Sequence, residues 1–410
     1  MTTSMSGSER LRLVLIIGAL SAFGPLSIDM YLPALPSLAQ DLGGTESVVQ
    51  LTLTAFMLGL ALGQLVAGSL SDAMGRRRPL LVGLVFYTAA SLLCAVSPSI
   101  VALILLRFIQ GAAGAAGIVI ARAVVRDHFT GNDVARFFSL TMLVNGLAPI
   151  LAPIIGGQIL LFTSWRGIFV LLTVVGAVML TAVTFGLPES LPVERRRTGG
   201  LSASVAPFRR LAADRVFVGY ALAMGLAFGA MFAYISGSPF VLEDIYGVSP
   251  QMFGLFFGVN ALGIVMVSQV GVRLIERVGS RLLLATGLGT AVTGGLLLLA
   301  VVTLGGGLAV ILPALFLVVA SIGLTSPNAT ALAMADHPDI AGSASALLGL
   351  TQFIIGALVA PLVGIAGNAT AVPMAVVIAS LTVGAGAVFV LLTRATPRPQ
   401  ELPQRNASGR

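Results

Sequence analysis

The sequence predicts an all-α integral membrane protein of about twelve transmembrane helices, arranged as two six-helix bundles. Three observations lead there. Of the 410 residues 57% are hydrophobic and only 10% are charged, against about 25% charged in ordinary soluble domains, and mean hydropathy is +1.02. So little charge cannot cover a soluble surface of this size. The chain also divides into about a dozen apolar runs, each near the ~20 residues that cross a hydrocarbon core. No alternating pattern of the kind that builds a β-barrel is present.

The first span is expected over 12–34. Arg10 and Arg12 precede it as they would a secretory signal, but the run is long and lacks a small-residue cleavage pattern. Five more spans are expected over 47–71, 79–97, 99–122, 134–157 and 163–187. The single long connection, Pro188 to Asp214, is polar and carries Arg195, Arg196, Arg197, Arg209 and Arg210. Six further spans are expected over 215–240, 250–273, 281–303, 307–333, 341–363 and 370–393. The expected organisation is therefore an N-terminal bundle over 1–187, a cytoplasmic linker loop over 188–214, and a C-terminal bundle over 215–410 with a short cytoplasmic tail.

Orientation follows from arginine. Every basic residue is an arginine, and apart from Arg107 within a span they gather at the N-terminus, the even-numbered loops and the C-terminus, with Arg166 the one arginine of the opposite loops. The opposite loops hold acids such as Asp41, Glu46, Glu243 and Asp244. By the positive-inside rule both termini are expected in the cytoplasm. A sequence pI near 10.6 is thereby explained by one membrane face, and no nucleic-acid partner is expected.

Absent residues narrow the function. Without lysine there is neither a Walker-A lysine for ATP nor a Schiff-base lysine for a pyridoxal cofactor. His128 and His337 are the two histidines and read as solvated loop residues; no metal or other cofactor is expected. Cys94 stands alone in an apolar span and reads as a small buried hydrophobe. A membrane-embedded enzyme would gather several ionisable groups at membrane depth, which the spans lack; a multi-pass receptor is the remaining other class. A secondary transporter, not an enzyme, is expected.

Two charges stand inside spans, Asp29 in the first and Arg107 in the fourth. Ionisable groups at such depth are costly and mark functional sites by default. Counted from the span midpoints, Asp29 lies about 9 Å and Arg107 about 4–5 Å towards the outer side, so one cavity is expected to hold both. They read either as a proton carrier with its tuning arginine or as a static ion pair locking two helices. Gln110, Asn145, Asn260 and Gln352 are polar and near midspan, while Tyr31, Tyr234, Phe232, Phe256 and Phe257 are candidate cavity walls. With Asp29, the residues Tyr31, Gln110, Asn145, Tyr234, Asn260 and Gln352 form the candidate substrate-binding set.

The turn Gly68-Ser-Leu-Ser-Asp72-Ala-Met-Gly75-Arg76-Arg77-Arg78-Pro79 resembles the cytoplasmic loop signature of the major facilitator superfamily. Glu276, Gly279 and Arg281 repeat Asp72, Gly75 and Arg77 at the same offsets, as two related halves would. Leu103-Ile-Leu-Leu-Arg107-Phe-Ile-Gln110-Gly111 is similar to the fourth-helix motif of proton-driven members. Ala148-Pro149-Ile-Leu-Ala152-Pro153-Ile-Ile-Gly156-Gly157 is similar to the antiporter motif of drug exporters, with alanines replacing two glycines. Ser27-Ile-Asp29-Met-Tyr31-Leu-Pro33-Ala-Leu-Pro36 resembles the opening of the bicyclomycin and chloramphenicol resistance exporters.

That resemblance implies a proton-coupled antiporter that exports small antimicrobial or drug-like molecules by alternating access. It implies proton coupling at Asp29 and Arg107, and gating at Asp72, Gly75, Arg76, Gly156 and Gly157. The alternative is a proton symporter or facilitator importing a small metabolite. Partners are expected to be the small-molecule substrate, protons and the lipid bilayer, with the chain a monomer.

Overall fold

The structure is a computed structural model, and it describes residues 7–128, 132–196, 205–337, 340–365 and 370–393. The first span comprises α1 (Gly7–Ser21), α2 (Phe23–Asp29), a 3-10 turn (Leu32–Ala34) and α3 (Leu35–Leu42). Proline breaks it. A helix carrying on through residue 33 would bond the Asp29 carbonyl to the N–H four residues later, and Pro33 has none. Asp29 consequently closes a helical segment, with its side chain and backbone at a bend.

Four elements follow in the first half: α4 (Glu46–Met74), α5 (Arg77–Ala95), α6 (Ile100–His128) and α7 (Asn132–Ile159), before α8 (Trp165–Gly186). The second half runs α9 (Val205–Ala213), α10 (Arg215–Pro239) with a π turn (Phe240–Ile245), α11 (Pro250–Thr303), α12 (Leu308–Ala320), α13 (Ile322–Met334), α14 (Ala341–Gly364) and α15 (Val372–Leu392). Asp214 caps α10, its carboxylate accepting from the N–H groups of Val216 (2.8 Å) and Phe217 (3.3 Å). Such caps satisfy helix donors that have no partner within the helix.

Span limits agree with expectation to within a few residues except in three places. The first helix continues through α3 to Leu42. The expected eighth and ninth spans are one helical element, turned at Gly279 by a left-handed φ of 77° with ψ 155°. The expected tenth is two segments, α12 and α13, meeting at Ser321. The linker read as a loop contains the helix α9, which packs on α10 and α14 with Leu211 buried. The tail beyond 393 lies outside the described residues.

Helices before the linker pack mainly on one another, as α4 with α6 and α5 with α6 and α8. Those after it do likewise, as α10 with α14 and α15 and α11 with α12 and α13. The α4–α6 approach is the tightest and has a simple cause. Added Cβ atoms at Gly59 and Gly63 would run into the carbonyls of Phe108 and Ala112, and one at Gly111 into that of Phe56. Gly68 is less crowded: a Cβ added there would stand an ordinary 3.6 Å from Val119 Cγ1.

Candidate functional site

Between the two groups, α4 meets α14 and α7 meets α11. Contacts named here lie toward the arginine-poor face. Ser47 Oγ donates to Pro361 O (3.0 Å), Gln50 Nε2 to Ser236 O (3.0 Å), Thr54 Oγ1 to Ala357 O (2.8 Å) and Gln251 Nε2 to Gly157 O (2.8 Å). Gly157 and Gly254 make the α7–α11 seam a backbone contact, since a Cβ on either would come 2.6 Å from the carbonyl of Pro250 or Pro153. Gly156 seats the carbonyl of Met30 instead, joining α7 to the bend after Asp29. Ala148 and Ala152 stand where the motif has glycines, and on this seam Gly254 of α11 supplies the close approach.

Arg107 sits at the centre of the first bundle with 0% exposure. Its Nη1 donates to Gln110 Oε1 (2.6 Å) and its Nη2 to the carbonyl of Ser27 (3.0 Å). Gln110 Nε2 donates on to Ser91 Oγ (2.7 Å), and Ser91 Oγ to Tyr87 O (2.7 Å). Ser27 Oγ and Tyr87 OH share a hydrogen bond of 2.7 Å, which closes the circuit on α2. The guanidinium carbon lies 4.3 Å from the ring centre of Phe56, 5.0 Å from Tyr31 and 5.7 Å from Phe169. Aromatic faces are attractive surroundings for a desolvated cation.

Asp29 is 6% exposed, two residues beyond the Ser27 carbonyl that Arg107 holds. The ion pair considered from sequence is not formed: among the described residues no ion pair joins Asp29 to Arg107 or to another base. Asp29 instead lies within electrostatic reach of the Tyr234 hydroxyl, on α10 of the other bundle. Tyr234 OH accepts from Asn260 Nδ2 (2.8 Å), and its ring stacks on Phe257 at 5.5 Å. Tyr31, the other tyrosine of the candidate set, pairs its hydroxyl with Thr52 Oγ1 (3.1 Å).

Gln352 is half-buried on α14, beside Phe353, whose ring meets Phe228 edge-on at 6.3 Å. Phe228 stacks in turn on Phe232 at 6.1 Å. Asn145 belongs to α7, but its side chain lies outside the described residues. Thus Tyr234, bonded to Asn260, comes within electrostatic reach of Asp29, whereas Gln110 and the Tyr31 ring lie against Arg107.

At the arginine-rich face Asp72 lies in the last turn of α4 and pairs with Arg76, rather than capping a helix start. Arg76 Nε also reaches Asp127 Oδ2 (3.0 Å), which accepts from Ser190 Oγ (2.9 Å). Glu189 accepts from the N–H groups of Arg76 (2.8 Å) and Arg77 (3.1 Å), capping α5. Gly75 has φ 91°, and a side chain there would meet Glu189 Oε2 at 2.5 Å. Burial pushes the Glu189 carboxyl up, but the N–H donors of Leu191, Arg76 and Arg77 and the nearby Arg196 hold it below its ordinary value.

The sequence repeat survives as backbone. Gly279 takes φ 77°, ψ 155°, where Gly75 takes φ 91°, ψ 167°. Its charge relay does not: the position matching Arg76 is Ser280, while Arg281, which matches Arg77, donates through Nη1 to Tyr220 OH (3.2 Å) and Thr393 O (2.9 Å). One other reading also changes. His337 is buried at 6% exposure and bonds Asp214 Oδ2 through Nε2 (2.9 Å), so it is no solvated loop residue. Asp127, Glu189, Ser27, Tyr87 and Ser91 are site residues that sequence reading missed; Ser27 lay within a quoted motif, and the others carried no spacing signal.

Comparison with known proteins fits this architecture. The family model described as Major Facilitator Superfamily matches residues 16–361. An uncharacterized MFS-type transporter of Bacillus subtilis is 43% identical over 94% of this chain and 96% of its own. A bicyclomycin resistance protein homolog of Haemophilus influenzae is 34% identical over 88% and 91%. A chloramphenicol resistance protein of Pseudomonas aeruginosa is 29% identical over 70% and 67%. Among solved structures, a bacterial homolog of the lysosomal transporter Spinster, in an inward-facing and occupied conformation, superposes with a TM-score of 0.78 at 16% identity, covering 95% of this chain and 98% of that one. The chain belongs to the Major Facilitator Superfamily, as a multi-pass membrane transporter akin to the bicyclomycin and chloramphenicol resistance proteins.

Proposed function

We propose that the protein is a proton-coupled antiporter that exports small antimicrobial or drug-like molecules across the bacterial inner membrane by alternating access. The arginine-rich face is then cytoplasmic, with both termini on that side, and the seam of α4–α14 and α7–α11 closes the outer side. The observation that carries the reading is Asp29. It is a buried carboxyl with no base bonded to it among the described residues, at a bend and within electrostatic reach of the Tyr234 hydroxyl of the opposite bundle.

An ionised carboxyl sealed from water without a cation costs several kcal/mol. Closing the seam around Asp29 and adding a proton to it are therefore linked, and parting the seam favours release. Arg107 holds the helical turn before Asp29 through Ser27, so it acts as a positioning residue as well as a source of positive potential. A substrate that occupies the Asp29–Tyr234–Asn260 face competes with that proton, which is the logic of exchange. One charge crossing 100 mV supplies about 2.3 kcal/mol, roughly a fifty-fold gradient.

The test is flux in proteoliposomes under an imposed pH gradient. Substrate moving uphill against inward proton flow supports antiport. Uptake in the same direction as protons, or flux indifferent to pH, would favour a symporter or facilitator importing a metabolite.

A further inference from the structure

A cavity of about 810 Å³ lies where the bundles meet at the arginine-poor face, lined among others by Glu46 and Ser47 of α4, Asp244 of the π turn and Gly364 of α14. Glu46 belongs to one bundle and Asp244 to the other. Their carboxyls lie within electrostatic reach of each other. One helical turn below Glu46 on the same face, Gln50 is 0% exposed. Its Nε2 is committed to Ser236 O, and its Oε1 comes against Gly364, 2.6 Å from where a Cβ there would stand.

That amide oxygen has no hydrogen-bond donor, and neither has Oε1 of Glu46 or Oε1 of Glu243 beside Asp244. Buried acceptors without donors are rare and costly. The surrounding elements bring no free base. Arg166 is engaged by Asp41 and lies over Trp165, whose Nε1 donates to the same carboxylate at 2.9 Å. Tyr246 OH is turned to Gly306 O (3.3 Å), and neither α14 nor the first turn of α6 carries an ionisable side chain. A carboxyl that takes up a proton becomes a donor, which is what these oxygens lack.

We propose that Glu46 and Asp244 form a second proton-binding site at the outer mouth, with Gln50 Oε1 accepting the hydrogen that protonated Glu46 carries. The ligand is a proton taken from solution on that face. With both carboxyls ionised, like charges oppose each other across the seam and favour its parting. With protons bound, repulsion ends and the seam is held shut. The part this site plays in exchange rests on the proton-coupled reading above; its binding of protons does not.

The experiment uses the full chain in lipid nanodiscs, without substrate, spin-labelled at the exposed Phe162 and Leu304 on the outer ends of the two bundles. The ratio of parted to closed seam is read from the label-to-label distance. It should rise at least about tenfold from about pH 5 to about pH 9. In an Asp29→Asn background, which removes the closure linked to that carboxyl, adding Glu46→Gln/Asp244→Asn should bring the change below about twofold. Gln50→Met should move the midpoint to lower pH, because protonated Glu46 then loses its acceptor, and Asp29→Asn should leave the part of the response that the outer site carries. A response retained when Glu46→Gln/Asp244→Asn is added to the Asp29→Asn chain, or no response in the wild type, overturns the site. A response abolished by Asp29→Asn alone also overturns it, whereas uncoupled transport with the response intact would count against the proposed antiport only.

Discussion

Arg107 Nη2 donates to the backbone carbonyl of Ser27 at 3.0 Å, so the fourth membrane helix grips the first one two residues before Asp29. The bond explains why the arginine is buried without a carboxylate. A guanidinium presents several donors in a fixed plane and can serve Gln110 and Ser27 together, while a lysine ammonium at the same place has one centre and holds water strongly.

Arg107→Lys should therefore lose most proton-driven export, by about tenfold or more, although the point charge is kept. Arg107→Ala should lose it as well. Near-normal flux in the lysine variant under an imposed pH gradient would leave only an electrostatic role for Arg107.

The α7–α11 seam tolerates no side chain at its closest point, because Gly157 lies against the carbonyl of Pro250. Gly157→Val should hold the seam apart and enrich the outward-open state. Label distances across the outer ends should lengthen in the absence of substrate, and uphill export should stop. An unchanged distance distribution would mean that α11 yields at this contact and that Gly157 does not gate.

At the opposite face Arg76 joins Asp72 to Asp127, bridging the ends of α4 and α6. Asp72→Ala should slow turnover by roughly threefold or more while substrate affinity, measured by binding to the detergent-solubilised protein, changes little. Equal turnover would reduce this cluster to a membrane anchor.

Acid should weaken the same face. The carboxyls of Glu189 and Asp214 stand below their ordinary values in the folded chain: burial acts upward on both, but backbone N–H donors, with His337 at Asp214, outweigh it. Their contribution is fully present above the unfolded values of 4.5 and 3.8. It is lost as pH falls through the lower folded ones. Thermal unfolding followed from about pH 6 to about pH 3 should show a steeper loss in wild type than in Glu189→Gln/Asp214→Asn.

Much of the fold was legible because the bilayer imposes a length and an apolar composition on every span. The same rule made Asp29 and Arg107 conspicuous. What sequence could not reveal was partnership. Hydropathy gives depth along a helix but not the direction a side chain takes around it, so Asp29 and Arg107, close in depth, were expected in one cavity, yet among the described residues no ion pair joins them: Asp29 lies within electrostatic reach of Tyr234, and Arg107 bonds Gln110 and the Ser27 carbonyl. His337 was misread for a related reason: a loop position implies solvent, and only tertiary packing put it on Asp214. The kinship of Gly75 and Gly279 was readable because a positive φ constrains residue type directly.

Asp29 remains the centre of the account, and Asp29→Asn tests it most directly, because the amide keeps the shape of the carboxyl and cannot carry a proton. Purified mutant and wild-type chains would be compared in proteoliposomes, with substrate accumulation and proton movement recorded together under an imposed pH gradient. The account predicts that the mutant inserts and exchanges substrate down its gradient, but neither accumulates it uphill nor moves protons with it. Wild-type uphill accumulation by the Asp29→Asn chain would contradict it.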